Sequence, residues 1–247
     1  MTRRSFLAGS AALGGCASVR SDFGGSGRDP AALRIAQIAD PQFGWDYNRR
    51  RERVKGPDGT YYGYDLRTLE ERIIPSVNDW SPDVVLLSGD MTHDVNRMAE
   101  DWPRLLREFK APIVCTPGNH DIWPVSSSAV DSYRGVFGVE RSSYRARGFR
   151  LVGANSQVWW RKAAPKEMRE DHERWLTAEL DAAVAAGETP ILATHVPPFV
   201  EKLDEPDGYE NLPLEWRRDI VEGVYAKGVR FWLCGHLHRL LVRSYRD

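Results

Sequence analysis

Six short apolar runs recur along the chain, and stretches of helical periodicity separate several of them. Each run has the length of a buried strand, and turn-forming residues bound it. The runs lie at residues 33–39, 84–88, 113–116, 150–154, 191–194 and 229–234. Residues 65–80 instead place Leu66, Leu69 and Ile73 on one helical face, and residues 167–186 show similar spacing. Alternating strands and helices predict an α/β sandwich.

The composition is that of one globular domain. The chain has 247 residues, of which 42% are hydrophobic, which is enough for a full-sized core. Three cysteines do not suggest a disulfide scaffold, so Cys115 and Cys234 are predicted to be free thiols in or beside strands. The formal net charge of -1 gives no general attraction to nucleic acid, and no such partner is expected.

The N-terminus has the layout of an export signal. Arg3 and Arg4 precede a short run of small and apolar residues, 6–15, which ends at Cys16. The paired arginines resemble a twin-arginine signal. The residues before Cys16 resemble a lipobox, in which the cysteine is acylated. The alternative is a disordered or frayed helical N-terminus.

These features predict three regions. Residues 1–15 are expected to be a twin-arginine-type lipoprotein signal, and residues 16–32, rich in Ser, Gly, Asp and Arg, a lipid-anchored flexible linker. Residues 33–247 are expected to form the folded domain. The protein would then be exported to the periplasm or another extracytoplasmic face, and would contact the membrane only through the lipid on Cys16.

Polar side chains that can bind metals follow the predicted strands directly. They are Asp40, Asp90, Asn119, His195, His236 and His238. In α/β sheets, the loops that leave the carboxyl ends of neighbouring strands converge on one point. Two divalent cations need shared carboxylate and imidazole ligands, and such pairs stabilise in-line displacement at phosphorus. The pattern therefore predicts metal-assisted phosphoester chemistry.

The surrounding motifs resemble those of a known family. They are Asp40-Pro41-Gln42, Gly89-Asp90, Gly118-Asn119-His120-Asp121, His195 and Gly235-His236-Leu237-His238. Their order and strand context are similar to the five motifs of the calcineurin-like metallophosphoesterase superfamily. The resemblance implies an αββα sandwich of two mixed sheets flanked by helices, with or without the last C-terminal strands of the relatives. The segment 40–44 resembles the branch that includes calcineurin-like phosphoesterase domain-containing phosphatases, as does segment 204–213.

The resemblance also implies residue roles. The first metal would be held by Asp40, His238 and the bridging Asp90. The second would be held by Asp90, Asn119, His195 and His236. The cofactors would be two metal ions, divalent or of mixed valence, drawn from manganese, iron or zinc. A hydroxide bridging them would attack phosphorus, and His120 would donate a proton to the leaving oxygen.

Two positions depart from the family pattern. Gln42 stands where most relatives have histidine, and its neutral amide oxygen is a weaker donor, so it is expected to be a variant ligand of the first metal. His93 stands where protein phosphatases of the superfamily have the Asp that orients the acid histidine. The partner that orients His120 is therefore left open. For His93 and His172, a core or loop position is favoured over a ligand role.

Substrate recognition is assigned only to candidate residues. Segments 41–64 and 196–212 are too long and too rich in Gly, Pro and aromatic residues for simple connections. The candidate substrate-binding residues are Arg49, Arg51, Tyr62 and His93. The alternative is that residues 45–64 form a solvated surface loop.

The sequence therefore predicts hydrolysis of a phosphomonoester or phosphodiester on a small molecule or a protein. A second hypothesis is a non-catalytic, metal-stabilised binding lipoprotein, and a third is a nuclease.

Overall fold

A computed structural model describes residues 32–43, 54–55, 61–62, 66–93 and 100–246. Cys16, Arg49 and Arg51 lie outside these residues, so their predicted roles stay predictions. Only the backbone of Tyr62 is described, in a short strand.

The strands follow the predicted order along the chain. They are β1 (Ile35–Ile38), β2 (Val54–Lys55), β3 (Tyr61–Tyr62), β4 (Val84–Ser88), β5 (Ile113–Thr116), β6 (Ser142–Ala146), β7 (Phe149–Gly153), β8 (Thr189–Ala193) and β9 (Phe231–Leu233). All six predicted strands are confirmed as β1, β4, β5, β7, β8 and β9.

The helices separate most of these strands. They are α1 (Leu66–Thr68), α2 (Ile74–Trp80), α3 (Asp101–Leu106), α4 (Asn119–Ile122), α5 (Ser127–Phe137), α6 (Lys166–Ala185) and α7 (Leu214–Ala226). A π-helical turn, Leu69–Ile73, joins α1 to α2, so the predicted helix 65–80 is continuous but wider in the middle. No helix in the described ranges is long and apolar enough to span a bilayer.

The described strands form two larger sheets and a small β2–β3 pair. The first sheet has the order β1-β4-β5, and its strands are parallel. The second has the order β6-β7-β8-β9, with β6 antiparallel to β7 and the remaining pairs parallel. The predicted α/β architecture of two sheets flanked by helices is confirmed. The parallel strands of each sheet direct their carboxyl ends toward the same edge.

The alternation of side chains along β4 explains how the layers pack. Val84 and Leu86 are fully buried in a cluster that includes Leu151 of the second sheet. Val85 and Leu87 point to the opposite face, into a cluster with side chains from α2, α3 and α5 and from the π-helical turn. The first sheet is therefore covered by the second on one face and by helices on the other.

The second sheet is covered in the same way. Val152 of β7 and Leu192 of β8 pack against Leu176 and Leu180 of α6 and Val224 of α7. The layers thus run helix, sheet, sheet, helix. In this arrangement the strands are packed on both faces by apolar side chains. The loops at their carboxyl ends lie outside this packing and can carry polar side chains.

Candidate metal centre

Each predicted metal donor lies just beyond the carboxyl end of a strand. Asp40 follows β1, Asp90 follows β4, Asn119 follows β5 and opens α4, and His195 follows β8. His236 and His238 both follow β9. Since β1, β4 and β5 form one sheet and β8 and β9 the other, both sheets contribute donors to one centre.

The donor loops have unusual backbone geometry. Residues with positive φ are Asp40 (54°), Gln42 (46°), Asp90 (51°), His236 (72°) and His238 (50°). Non-glycine residues rarely adopt this left-handed region, and each costs about 1–3 kcal/mol. Backbone hydrogen bonds hold the first loop against the second, since the Asp40 amide donates to the Gly89 carbonyl at 3.1 Å. Such concentrated strain is characteristic of functional sites.

Glycines make room for the donor side chains. A Cβ at Gly89 would lie 2.4 Å from Nδ1 of His195, and one at Gly118 would lie 2.1 Å from Oδ1 of Asp90. A Cβ at Gly235 would lie 2.8 Å from Oδ2 of Asp40. The glycines that precede Asp90, Asn119 and His236 in the motifs are therefore required by the close approach of donors from other loops.

Two groups of donor atoms share Asp90. Asp90, His195 and His236 form one group, and Asp40, Asp90 and His238 form the other, with the donor atoms of each group within 4.8 Å of one another. Nε2 of His195 lies 3.4 Å from Oδ2 of Asp90, and Nε2 of His238 lies 3.6 Å from Oδ1 of Asp40. A shared carboxylate between two donor groups is the arrangement that a two-metal centre needs.

The tautomers of two histidines support a cation between them. Nδ1 of His195 donates to the Ser88 carbonyl at 2.9 Å, and Nε2 of His236 donates to the Tyr209 carbonyl at 2.8 Å. Because a carbonyl only accepts, these nitrogens carry protons, and in the neutral imidazole rings that bind metals the opposite nitrogens present lone pairs. Those two nitrogens face each other at 3.2 Å. Metal-binding histidines are commonly oriented by carbonyls in this way.

Asn119 adds an oxygen to the same group. Its Nδ2 donates to the Tyr209 hydroxyl at 3.1 Å, which leaves Oδ1 facing Nε2 of His195 at 3.2 Å. The lone pairs of Asn119, His195 and His236 therefore converge beside the Asp90 carboxylate. These residues fit a divalent cation.

The electrostatics of the centre point the same way. Burial, with repulsion from Asp90, raises the pKa of Asp40 to about 7. Burial alone would lower the pKa of His195, but the Asp90 carboxylate outweighs it and raises that pKa to about 9. Buried carboxylates that favour an extra positive charge on a neighbouring histidine also favour a bound metal ion.

Gln42 and His120 lie beside Asp90, and His93 packs on His120. Nε2 of Gln42 is 3.3 Å from Oδ2 of Asp90, so this buried side chain reaches the shared carboxylate. The His120 amide donates to Oδ1 of Asp90 at 2.8 Å, and its imidazole Nε2 lies 4.0 Å from Oδ2. The His93 ring packs on the His120 ring with centroids 4.8 Å apart. His93 thus stands beside the predicted acid, and His172 is buried away from the centre, between Trp159 and Trp175.

The sequence did not predict a cluster of aromatic side chains next to His236. The Tyr209 ring stacks on the His236 ring at 4.7 Å, and the buried Trp160 meets both rings nearly at right angles. Trp123 meets Trp160 at 5.1 Å, and the Arg161 guanidinium lies 4.8 Å from the Trp160 centroid. The available signal was the long aromatic segment 196–212, which contains Tyr209, but its length alone does not identify which side chain reaches the centre.

Comparison with known proteins decides the family. The sequence pattern of the family described as calcineurin-like phosphoesterase matches residues 33–240. The chain belongs to this family. The resemblance inferred from the five motifs is therefore confirmed, as is the prediction that the chain is a phosphoesterase-type hydrolase.

Relatives of this calcineurin-like phosphoesterase include phosphatases and a phosphodiesterase. It is 26% identical over 226 residues to "Serine/threonine-protein phosphatase CPPED1" of Bos taurus, covering 85% of this chain and 71% of that protein. It is 28% identical over 217 residues to "3',5'-cyclic adenosine monophosphate phosphodiesterase CpdA" of Escherichia coli strain K12, covering 85% and 71%. A dimetal phosphatase from Danio rerio shares the fold, with a TM-score of 0.57, 16% identity, and coverage of 84% and 82%.

Proposed function

We propose that the chain hydrolyses phosphoesters with two metal ions held by the loops at the carboxyl ends of its two sheets. The observation that carries the proposal is the convergence of lone pairs from His195, His236 and Asn119 beside Asp90, which also belongs to a second donor group. Asp40, Asp90 and His238, with Gln42 next to them, would hold the first ion. Manganese, iron and zinc all suit such oxygen and imidazole donors.

The bound ions would polarise the phosphoryl oxygens and lower the pKa of water, which supplies a nucleophile at neutral pH. The chain's own residues would position the acid and protonate the leaving oxygen. Asp90 fixes the loop of His120, because its Oδ1 accepts the His120 amide hydrogen. The His120 side chain is 23% exposed, so its imidazole can reach a leaving oxygen at the rim and donate a proton to it.

The test uses residues 31–247 and two substitutions. Metals are quantified per chain, and turnover of p-nitrophenyl phosphate and bis-p-nitrophenyl phosphate is measured with added manganese. We expect about two metals per wild-type chain. Asp90→Asn should lose metal and activity together, whereas His120→Ala should keep the metals and lose about 10²- to 10⁴-fold in kcat. Asp79→Asn, an exposed substitution in α2, is the matched control.

Two outcomes would contradict the proposal. A folded chain with two metals and no turnover of either substrate would favour the non-catalytic binding hypothesis. Full activity in Asp90→Asn would exclude the shared carboxylate from the mechanism.

The substrate would be a phosphomonoester or phosphodiester of a small molecule or a protein. The bovine relative is named a serine/threonine-protein phosphatase and the bacterial relative a cyclic AMP phosphodiesterase, so both ester types are supported. The ratio of kcat/KM for the two p-nitrophenyl substrates separates them.

We also propose that the domain works outside the cytoplasm, tethered by a lipid on Cys16. The order of Arg3, Arg4, the apolar run 6–15 and Cys16 supports this location. Cys16→Ser should move the protein from the membrane fraction to the soluble fraction, whereas Cys115→Ser, which alters a buried thiol, should not. Membrane retention of Cys16→Ser would refute the lipid anchor.

A further inference from the structure

We propose that Trp123, Trp160, Arg161 and Tyr209 form a subsite for a flat aromatic ring on the substrate. We call these four residues the ring subsite. The preferred phosphoesters would be those whose alcohol carries such a ring, and this inference rests on the proposed function.

Trp123 and Tyr209 both pack against Trp160. Trp160 is buried, with 2% of its surface exposed. Trp123 and Tyr209 each meet it nearly at right angles, with interplanar angles of 73° and 82° and centroids 5.1 and 5.3 Å away. Both remain 43% and 48% exposed. Two large rings left half-exposed around a buried one indicate a binding surface more than a core.

The ring subsite begins at the metal centre itself. The Tyr209 carbonyl accepts from His236 and from Nε1 of Trp160, and its hydroxyl accepts from Asn119. Trp123 directly follows α4, the helix that carries Asn119 and His120. A phosphoester bound at the metals would therefore extend its alcohol past these rings.

Arg161 adds a planar cation to the ring subsite. Its guanidinium lies 4.8 Å from the Trp160 centroid and 5.2 Å from the Tyr209 centroid. It makes no ion pair with any carboxylate in the described residues, and its side chain is exposed. Guanidinium planes stack well on aromatic rings and bases.

The backbone at Arg161 is strained. Its φ and ψ are 54° and 13°, and Lys162 also has a positive φ of 55°. Two successive non-glycine residues in the left-handed region are retained only when the surroundings impose them, and such residues cluster at ligand-binding sites. The strained backbone places the guanidinium over the rings. A ligand-binding role for Arg161 would explain why this strain is retained.

Three non-hydrolysable phosphonates test the proposal on the metal-loaded protein. Phenylphosphonate, cyclohexylphosphonate and methylphosphonate are titrated by calorimetry and as competitive inhibitors of p-nitrophenyl phosphate. Aromatic stacking predicts that phenylphosphonate binds about tenfold or more tightly than methylphosphonate. Cyclohexylphosphonate, which has similar size but is not flat, should bind more weakly than phenylphosphonate, because it gains apolar burial without stacking.

The variants separate stacking from charge. Trp123→Ala and Arg161→Lys should each reduce the phenyl-to-methyl affinity ratio at least threefold, because the first removes a ring and the second keeps the charge without the plane. Arg161→Gly should also reduce the ratio while raising Tm, since glycine relieves the positive φ. Trp80→Ala is the matched control, because Trp80 is an exposed tryptophan that stacks on Arg34, away from the centre.

The outcomes distinguish this inference from the proposed function. A wild-type affinity ratio near one, or a ratio that survives both Trp123→Ala and Arg161→Lys, would overturn the ring subsite while turnover still upheld the hydrolase. Absence of turnover with selective phenylphosphonate binding would overturn the hydrolase and keep the subsite.

Discussion

Asp121 links two of the loops that carry candidate metal donors. One of its oxygens accepts the Gly118 amide at 2.8 Å, and the other accepts the Thr92 amide at 3.0 Å and the Thr92 hydroxyl at 3.2 Å. The carboxylate is buried, and it belongs to neither of the two groups of candidate metal donors. Its effect on the centre is therefore one of positioning.

Asp121→Asn should loosen the centre. The amide nitrogen of asparagine would face a backbone N–H that now donates to a carboxylate, so we expect a loss of about 1–3 kcal/mol in the free energy of unfolding. Metal content should fall below that of the wild type. Guanidinium denaturation and metal analysis measure both effects, with Asp131→Asn on the exposed surface of α5 as control. Unchanged stability and metal content would show that the loops need no such tie.

At the residue scale, the sequence indicated candidate donors where chemistry and strand position coincide, and the structure brings these side chains together, while their role as metal ligands stays a prediction. Asp40, Asp90 and His195 could be proposed because they are metal-binding types placed directly after apolar runs. Tyr209 and Arg161 lie in loops without periodicity, and their importance comes from contacts with distant residues. Tertiary packing of this kind leaves no local signature in a sequence.

The segment between β8 and α7 is an element organised by two charged side chains. From within, the Glu205 carboxylate accepts the amides of Val200 and Glu201 at 2.8 and 2.7 Å. From α7, the buried Arg217 donates to the carbonyls of Glu205 and Leu212 at 2.6 and 2.9 Å. These hydrogen bonds hold the loop in which Tyr209 lies beside the candidate metal centre.

The Glu205 contribution should depend on pH. Burial alone would raise its pKa, but the hydrogen bonds from Asn211 and from the loop amides lower it from 4.5 to about 2. Because the folded pKa is depressed, the stabilisation is complete above about pH 4.5 and is lost as the pH falls through about 2. Glu205→Gln should therefore cost about 1–3 kcal/mol at pH 7 and progressively less at lower pH.

Urea unfolding of wild type and Glu205→Gln from pH 7 to pH 3 measures this effect. Glu201→Gln, an exposed neighbour, is the control. A wild-type advantage that stays constant with pH would mean that the depressed pKa contributes nothing to folding.

The sequence predicted elements with strong periodicity and missed those defined by turns. The helix over 65–80 and the helix over 167–186 lie within a residue of their predicted bounds. Strand β7 was predicted, but β6 and the turn that joins it to β7 were missed, because this turn uses Arg147 and Gly148 with φ of 54° and 77°, and arginine is an uncommon residue for that backbone. The π-helical turn was also missed, because the spacing of apolar residues does not distinguish it from an α-helix.

At the scale of the whole molecule, the two sheets approach each other closely at Gly153 of β7. A Cβ there would lie 2.5 Å from Cγ1 of Val114 in β5. The residues around this contact belong to the cluster between the sheets. Because the candidate metal donors come from both sheets, this contact helps to set the distance between the donors of one sheet and those of the other.

Two glycine-to-alanine substitutions should therefore have opposite effects. Gly153→Ala should destabilise the fold by about 1–3 kcal/mol, because the methyl group must push two sheets apart. Gly223→Ala, inside α7, meets no atom within 4 Å and should stabilise by about 0.4–1 kcal/mol. Thermal unfolding monitored by circular dichroism measures both. Equal effects from the two substitutions would mean that the sheets are not tightly packed at this point.

The hydrogen bonds from the His236 amide to the Asp40 carboxylate, 2.9 Å long, join positions 196 residues apart in the chain. Both histidines of this last loop depend on β9, a strand of three residues that pairs only with β8 among the strands described and leaves Phe231 48% exposed. Short, exposed strands open locally at a lower free energy than the core. Mild heating should therefore detach β9 and abolish turnover reversibly while the remaining strands and helices stay folded. The upper temperature limit of activity would then lie below the temperature at which the whole domain unfolds.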